Sequence, residues 1–329
     1  MNIAVVILNW NGRALLEKYL PSVIANSGQA KIYVADNAST DDSVQFVREK
    51  FPEIELILNQ ENGGFAKGYN DALRHLEEDI YCLLNSDVEV TPNWLDPIIK
   101  EFENQPETAI IQPKILDHNN KGYFEYAGAA GGYIDRYAYP YCRGRLFGTI
   151  EMDKQQYSDR QSIMWASGAC MFIRKEVYRA LNGFDESFFA HMEEIDLCWR
   201  AFNNNYSTTY IGDSVVYHEG GATLKNTNPK KTFLNFRNSL FTLTKNASGN
   251  LFLLILSRLL LDGIAAIKFI LELRWSHTFA ILNAHISFYQ QVNRLLVQRR
   301  ALPKRKDYYT VRSVIWAYFV LRRKTFSSL

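Results

Sequence analysis

Residues 81–90, YCLLNSDVEV, set an apolar run against a polar stop. Cys82, Leu83 and Leu84 read as a buried strand, whereas Asn85, Ser86 and Asp87 interrupt it and Pro92 follows. Asn, Ser and Asp bond readily to nearby backbone, so Asp87 suits an ordinary turn. The same carboxylate also suits a ligand site, because open α/β sheets bind ligands beyond the carboxyl ends of their strands. A cation held there against a phosphate is the sharper reading.

Three upstream segments repeat the form: IAVVILNW, AKIYVADNAST and IELILNQENGG each end an apolar strand in polar residues. Between the four lie helical patterns, RALLEKYLPSVIANS, DDSVQFVREKF and GFAKGYNDALRHLEED. The alternation predicts an α/β fold whose parallel sheet is covered on both faces. Asn9, Asp36, Asn59 and Asp87 would then gather along one sheet edge. Downstream, the Gly- and Tyr-rich residues 108–163 predict irregular loops and short strands, an insertion that shapes a pocket. IMWASGACMFIRKEVYRALNGFDESFF returns to order, with a helix from about Lys175, and the chain beyond Asn250 reads as helical.

A chain of 329 residues that is 47% apolar forms one large or two smaller folded domains and is not disordered. Cys82, Cys142, Cys170 and Cys198 make no CxxC pair or zinc spacing. Cys82 and Cys170 lie in apolar runs, which predicts buried free thiols and a reducing compartment. MNIAVVILNW starts a strand at once, without the features of a signal peptide, so a cytoplasmic location is expected. The net charge of +2 hides a split: from Asn250 onward 13 Lys and Arg face 3 acidic residues, a balance of +10 against −8 for the rest. The acidic part suits nucleic acid poorly, and no RNP, zinc-finger or helix-turn-helix pattern accompanies the basic part. Nucleic acid is therefore not an expected partner.

Three clusters carry candidate chemistry. In DNASTDDS, Asp36 leaves a strand directly, while Asp41 and Asp42 suit helix caps. In NQENGGFAKGYNDAL, Gly63 and Gly64 precede a helix; such glycines permit close backbone approach, and a helix N-terminus favours an anion. A tight turn explains them equally well. In HMEEIDLCWR, Glu193, Asp196 and Arg200 would share one helix face, which suits a solvated ion pair. The aromatics of the preceding LNGFDESFFAH argue instead that this loop folds against a core.

Taken in order, VVILNWNG, VADNASTDDS, NQENGGFAKGYNDAL, LLNSDVEV, WASGACMFIRKEVYRALNGFDESFF, EEIDLCWR and YHEGG span roughly residues 3–221. With them the chain resembles a family-2 glycosyltransferase of the GT-A fold, in the bacterial rhamnosyltransferase-like branch. The resemblance implies a mostly parallel central sheet in a catalytic domain (residues 1–249); the basic, apolar helical segment that follows (250–329) is read from its own residues. It implies that Asp36 contacts the nucleobase, that Asn9 lies near the nucleotide, and that Asn62, Gly63, Gly64, Lys67, Asn85 and Ser86 complete the donor-binding set. Asp87 would end a DxD-type motif for Mg²⁺ or Mn²⁺. This sequence has Asn85 where that motif carries its first Asp, so the metal must lean on Asp87, the donor diphosphate and a further ligand, His218. An imidazole favours Mn²⁺ somewhat.

The general base of the family falls in an acidic pair, commonly Glu-Asp and here Glu193-Glu194. Glu194 takes the position of the base, with Glu193 and Asp196 as fallbacks. The implied activity is inverting sugar transfer from a nucleotide-diphosphate donor, dTDP-rhamnose first and a UDP-linked hexose next. The implied acceptor is a glycan or lipid-linked glycan of cell-surface polysaccharide synthesis. Asn85 and the absent Asp beside Glu193 keep a second reading, a catalytically impaired nucleotide-sugar-binding scaffold.

In the tail, Arg258, Asp262 and Lys268 interrupt LFLLILSRLLLDGIAAIKFILELRW, and no stretch reaches bilayer-crossing length. NRLLVQRRALPKRKDYYTVRSVIWAYFVLRRK mixes basic clusters with aromatics, which suits the anionic inner face of a membrane. A packed helical subdomain, or one that forms a homo-oligomer, is the plainer alternative.

Overall fold

The computed structural model describes residues 1–220 and 228–329; Gly221, the last residue of YHEGG, lies outside the described residues. The first half runs β1 (Ile3–Asn9), α1 (Arg13–Asn26), β2 (Lys31–Asp36), α2 (Ser43–Lys50), β3 (Glu55–Leu58), α3 (Gly64–Leu73), β4 (Ile80–Asn85), β5 (Val88–Val90) and α4 (Asp96–Asn104). Next come β6 (Thr108–Asp117), β7 (Gly132–Ile134), β8 (Pro140–Cys142), β9 (Arg145–Leu146), β10 (Thr149–Ile150), β11 (Arg160–Ile163) and β12 (Cys170–Arg174). The chain continues through α5 (Lys175–Ala180), α6 (Glu193–Asn203), β13 (Ser207–His218), α7 (Pro229–Asn246), α8 (Leu251–Leu271) and α9 (Trp275–Ala301).

The main sheet has the order β11-β13-β6-β12-β4-β1-β2-β3, with β5 paired to β13. Strands β3, β2, β1 and β4 are parallel, β12 runs antiparallel to both of its neighbours, and β6 and β13 are again parallel. Alternate residues feed two cores, as the period of a strand requires. Val5, Ile7, Cys82 and Leu84 face Leu16 and Leu20 of α1. Ala4, Val6, Tyr81 and Leu83 share the opposite core with Tyr69 of α3, Trp199 of α6 and Leu240 of α7. Strands buried on both sides need apolar residues throughout, which is why β1 and β4 read as unbroken runs.

The segment 108–163 is not wholly an insertion. Its first ten residues form β6, a strand inside the main sheet with nine buried positions. Two polar side chains disguise it: Gln112 bonds the Gly128 carbonyl and the Ser167 amide, while Lys114 reaches Asp153, Gln155 and Ser158. Strands β7 to β10 form a separate small antiparallel sheet.

Helices α7, α8 and α9 pack on one another and extend the core of the α3–α6 face through Leu243, Leu254, Phe288 and Leu295. Among the described residues, no helix is long and apolar enough to cross a membrane. All four cysteines are buried and unpaired.

Candidate active site

Strand register brings the polar endings together. Asn9 lies opposite Asp36 and Leu8 opposite Asn85, so the β1, β2 and β4 loops open on one edge. Asn9 Nδ2 donates to Asp36 Oδ1 at 2.9 Å, and Asp36 Oδ2 accepts the Ser39 amide at 2.9 Å. Both side chains are buried, and Asn9 Oδ1 has no hydrogen-bond partner. Asn62 Oδ1 accepts from Asn37 Nδ2 and from the Gly64 amide, tying the β2 loop to the start of α3. Lys67 is paired with Asp71 one turn along its helix.

The α3 N-terminus differs from the expected anion site. The Phe189 carbonyl already accepts the Phe65 amide at 2.8 Å, and Gly64 donates to Asn62. Gly64 has φ +80°, and a Cβ there would stand 2.4 Å from the Phe189 oxygen. Gly64 therefore serves the approach of a neighbouring loop, and the helix dipole is satisfied from within the protein.

Asp87 turns the chain from β4 into β5, beside half-buried Asn85 and Ser86. Because Val88 pairs with His218 across β5 and β13, the imidazole comes to Asp87: Nε2 lies 3.1 Å from Oδ1. On the far side of the ring, Glu125 Oε1 is 3.4 Å from Nδ1, too poorly aligned to count as a hydrogen bond. Glu125 was not legible in the sequence, since nothing in YFEYAG marks it as a partner of a distant histidine. Burial alone would discharge the ring, but Glu125 and Asp87 outweigh it and push its pKa up to about 10. Burial likewise disfavours the Asp87 carboxylate, and His218 reverses the effect, holding its pKa below the usual range.

Asp87 Oδ1 and His218 Nε2 form a donor pair that a divalent transition ion accepts. Among the described residues no cluster of three or more His, Cys, Asp or Glu side chains could hold a metal. The pair therefore fits a cation that takes its remaining ligands from phosphate and water, as Mg²⁺ commonly does. Coordination needs the neutral ring, so the cation competes with the imidazole proton.

The acidic cluster is set by a strained loop. Residues 186–188 make one 3₁₀ turn, then Phe189, His191 and Met192 take φ +64°, +70° and +73° before α6 begins. Such conformations persist only where surrounding contacts impose them. Asn238 on α7 supplies those contacts: its buried Nδ2 reaches the carbonyls of Phe188, Ala190 and His191 at 3.0, 2.9 and 2.7 Å. Arg237 holds the Ser187 and Phe188 carbonyls as well.

Glu193 is almost fully buried and Glu194 half-buried, and Oε2 of each lacks a hydrogen-bond partner. Burial, with the neighbouring Glu194 charge, raises the Glu193 pKa well above the carboxylate range. Burial pushes Glu194 up to about 7. Asp196 is different. It is fully buried, with Oδ2 bound by Arg200 at 2.8 Å and Lys245 at 2.9 Å, and Oδ1 by Asn246 at 2.8 Å. The expected Asp196–Arg200 pair exists, but it is a buried anchor between α6 and α7 and not a solvated face. Its carboxylate is committed to the scaffold.

Residues 4–181 match the family described as Glycosyl transferase family 2. The chain is 23% identical over 229 residues to the N-acetylglucosaminyl-diphospho-decaprenol L-rhamnosyltransferase of Mycobacterium tuberculosis, covering 65% of this chain and 75% of that protein. It is 21% identical over 205 residues to the rhamnosyltransferase WbbL of Escherichia coli K12, covering 60% and 75%. Among solved structures, GalNAc-T7 with UDP, GalNAc and Mn²⁺ superposes with a TM-score of 0.59 at 14% identity, over 74% of this chain and 48% of that one.

Proposed function

The chain belongs to glycosyl transferase family 2, and from that premise we propose an inverting enzyme that moves rhamnose from dTDP-rhamnose to a lipid-linked glycan acceptor in cell-surface polysaccharide synthesis. One observation carries the mechanism: the carboxylates of Glu193 and Glu194, each with an unpartnered Oε2, stand at the start of α6, and of the two only the Glu194 residue is partly exposed, with its pKa raised to about 7. A base whose pKa lies near neutrality is well matched to removing a hydroxyl proton as bonding develops. Asp196, fixed by Arg200, Lys245 and Asn246, is set aside. Glu193, more deeply buried, is the less accessible of the remaining pair.

In the proposed reaction Glu194 takes the proton of an acceptor hydroxyl. That oxygen bonds the anomeric carbon as the carbon's bond to the donor diphosphate breaks, and the electron pair leaves on the nucleoside diphosphate. Attack opposite the leaving group inverts the anomeric centre. The resemblance assigns the nucleotide to the sheet edge, with Asn9 and Asp36 near its base. Asp87 and His218 would hold Mg²⁺ or Mn²⁺, whose chemistry is to offset charge growing on the leaving diphosphate. Support for the donor comes from the two rhamnosyltransferase relatives, one of which is named for a decaprenol-linked acceptor. Support for the cation comes from Mn²⁺ in the GalNAc-T7 structure.

A panel of nucleotide sugars, scored for release of nucleoside diphosphate with and without crude lipid acceptors, tests this reading. The expected result is preference for dTDP-rhamnose and stimulation by the lipid fraction. Preference for a UDP-hexose refutes the donor assignment and leaves the family standing. Donor binding with no turnover on any acceptor supports the scaffold reading instead.

A further inference from the structure

The α8–α9 hairpin turns through residues 272–274, and its tip is apolar and open to solvent. Leu271, Leu273, Trp275 and Phe279 are 78, 76, 52 and 61% exposed. Exposed apolar residues continue down α8 at Ile267, Ile264, Leu260 and Leu256, a spacing of three and four that draws one stripe. Along α9 they continue at Leu282, Ile286 and Tyr289 with the same spacing. The opposite face of α8, with Leu254, Arg258 and Asp262, is the one packed against the protein. Single exposed leucines need no explanation, but continuous stripes that meet at a turn mark an interaction surface.

The tip lies at the end of the bundle that carries the catalytic loop. His277 Nδ1, in the first turn of α9, is 2.7 Å from Thr232 Oγ1 in the first turn of α7. Beside Thr232, Lys230 lies over the Phe189 ring at 5.0 Å, and further along the helix Arg237 and Asn238 grip the loop carbonyls.

Charge selects the occupant. By the tip, Lys268 and Arg274, 65% and 40% exposed, share the Glu272 carboxylate at 3.6 and 3.7 Å, and exposed Lys230 stands on the adjoining first turn of α7, so the basic side chains outnumber the acidic one. A second copy packed tip to tip would set these basic side chains against their own kind. An anionic lipid surface answers both the charge and the apolar stripe, and helices too short or interrupted to span a bilayer lie in its interface.

We propose that the α8–α9 turn inserts into an anionic bilayer surface through Leu271, Leu273, Trp275 and Phe279, holding the 186–193 loop beside the headgroups. The purpose of this placement rests on the lipid-linked acceptor of the proposed function, whereas the docking itself does not.

Flotation of the full chain with phosphatidylcholine vesicles, with and without phosphatidylglycerol, tests it against a Leu271→Glu/Leu273→Glu/Trp275→Glu variant. The parent should float with the anionic vesicles and be weakened by salt. The variant should partition at least about tenfold less, since three apolar side chains are lost from the interface, with unchanged circular dichroism and unchanged nucleoside-diphosphate release on a soluble acceptor. Parent protein that stays unbound at low salt, or a variant that binds as well as the parent, overturns the proposal. So does light scattering that shows a parent dimer abolished by the variant, which would assign the face to a second copy. Vesicle binding needs no sugar donor, so its failure and the failure of the transferase reading register separately.

Discussion

Nε2 of His218 stands 3.1 Å from Oδ1 of Asp87, held there by the pairing of Val88 with His218 across β5 and β13. If this pair carries a cation, EDTA should abolish turnover and Mn²⁺ or Mg²⁺ should restore it. His218→Ala should weaken metal affinity, seen as a rise in the activating metal concentration. Full turnover in metal-free buffer would return Asp87 to a turn residue, and an unchanged metal affinity in His218→Ala would remove the histidine from the shell.

Asn238 should govern kcat without touching substrate. Asn238→Ala frees the carbonyls of Phe188, Ala190 and His191 from their shared donor. Misplacement of a catalytic group by about 1 Å costs on the order of 10²-fold, so kcat should fall by roughly that order while donor affinity, measured by calorimetry, changes little. An equal loss of donor affinity would mean that Asn238 supports the fold generally and not the loop.

Asp196→Asn should destabilise the chain before it alters chemistry. Breaking a buried ionic group by removing one partner costs about 3–5 kcal/mol, and Asp196 joins Arg200, Lys245 and Asn246 with no exposure. Urea denaturation of the full chain measures the loss. A variant of parental stability and no turnover would reinstate Asp196 as the base.

The first half of the fold was legible because strands covered on both faces must be apolar at every position, and their endings must then be polar. That logic found β1, β2 and β4 and, with them, Asn9, Asp36 and Asp87; β3, an edge strand with Glu55 and Leu58 exposed, follows from its place in the strand–helix alternation. It failed at β6, where Gln112 and Lys114 satisfy their polarity inside the protein. It failed again at Asp196, because spacing reveals the Arg200 partner one turn away but not Lys245 and Asn246 from another helix. Glu125 and Asn238 gave no local signal, since each meets its partner only after the sheet and α7 are assembled. Of the two glycines, Gly64 does meet a close backbone approach, from the Phe189 carbonyl, whereas Gly63 faces the Lys67 side chain. Hydrophobic period located the tail helices, whereas the meeting of two exposed stripes at residues 271–275 became visible only with α8 and α9 in place.

The pH profile of Glu194→Gln against the parent tests the assignment of the base most directly. Burial raises the Glu194 pKa to about 7, and the base must be ionised to act, so parental kcat should climb as pH rises through about 7 and then level. Glu194→Gln keeps the size of the side chain but removes the base. It should lower kcat by roughly 10²-fold or more and abolish that rising limb, with donor affinity little changed. Normal turnover in Glu194→Gln, with the limb intact and Glu193→Gln inactive, would contradict the account and move the base one residue back along α6.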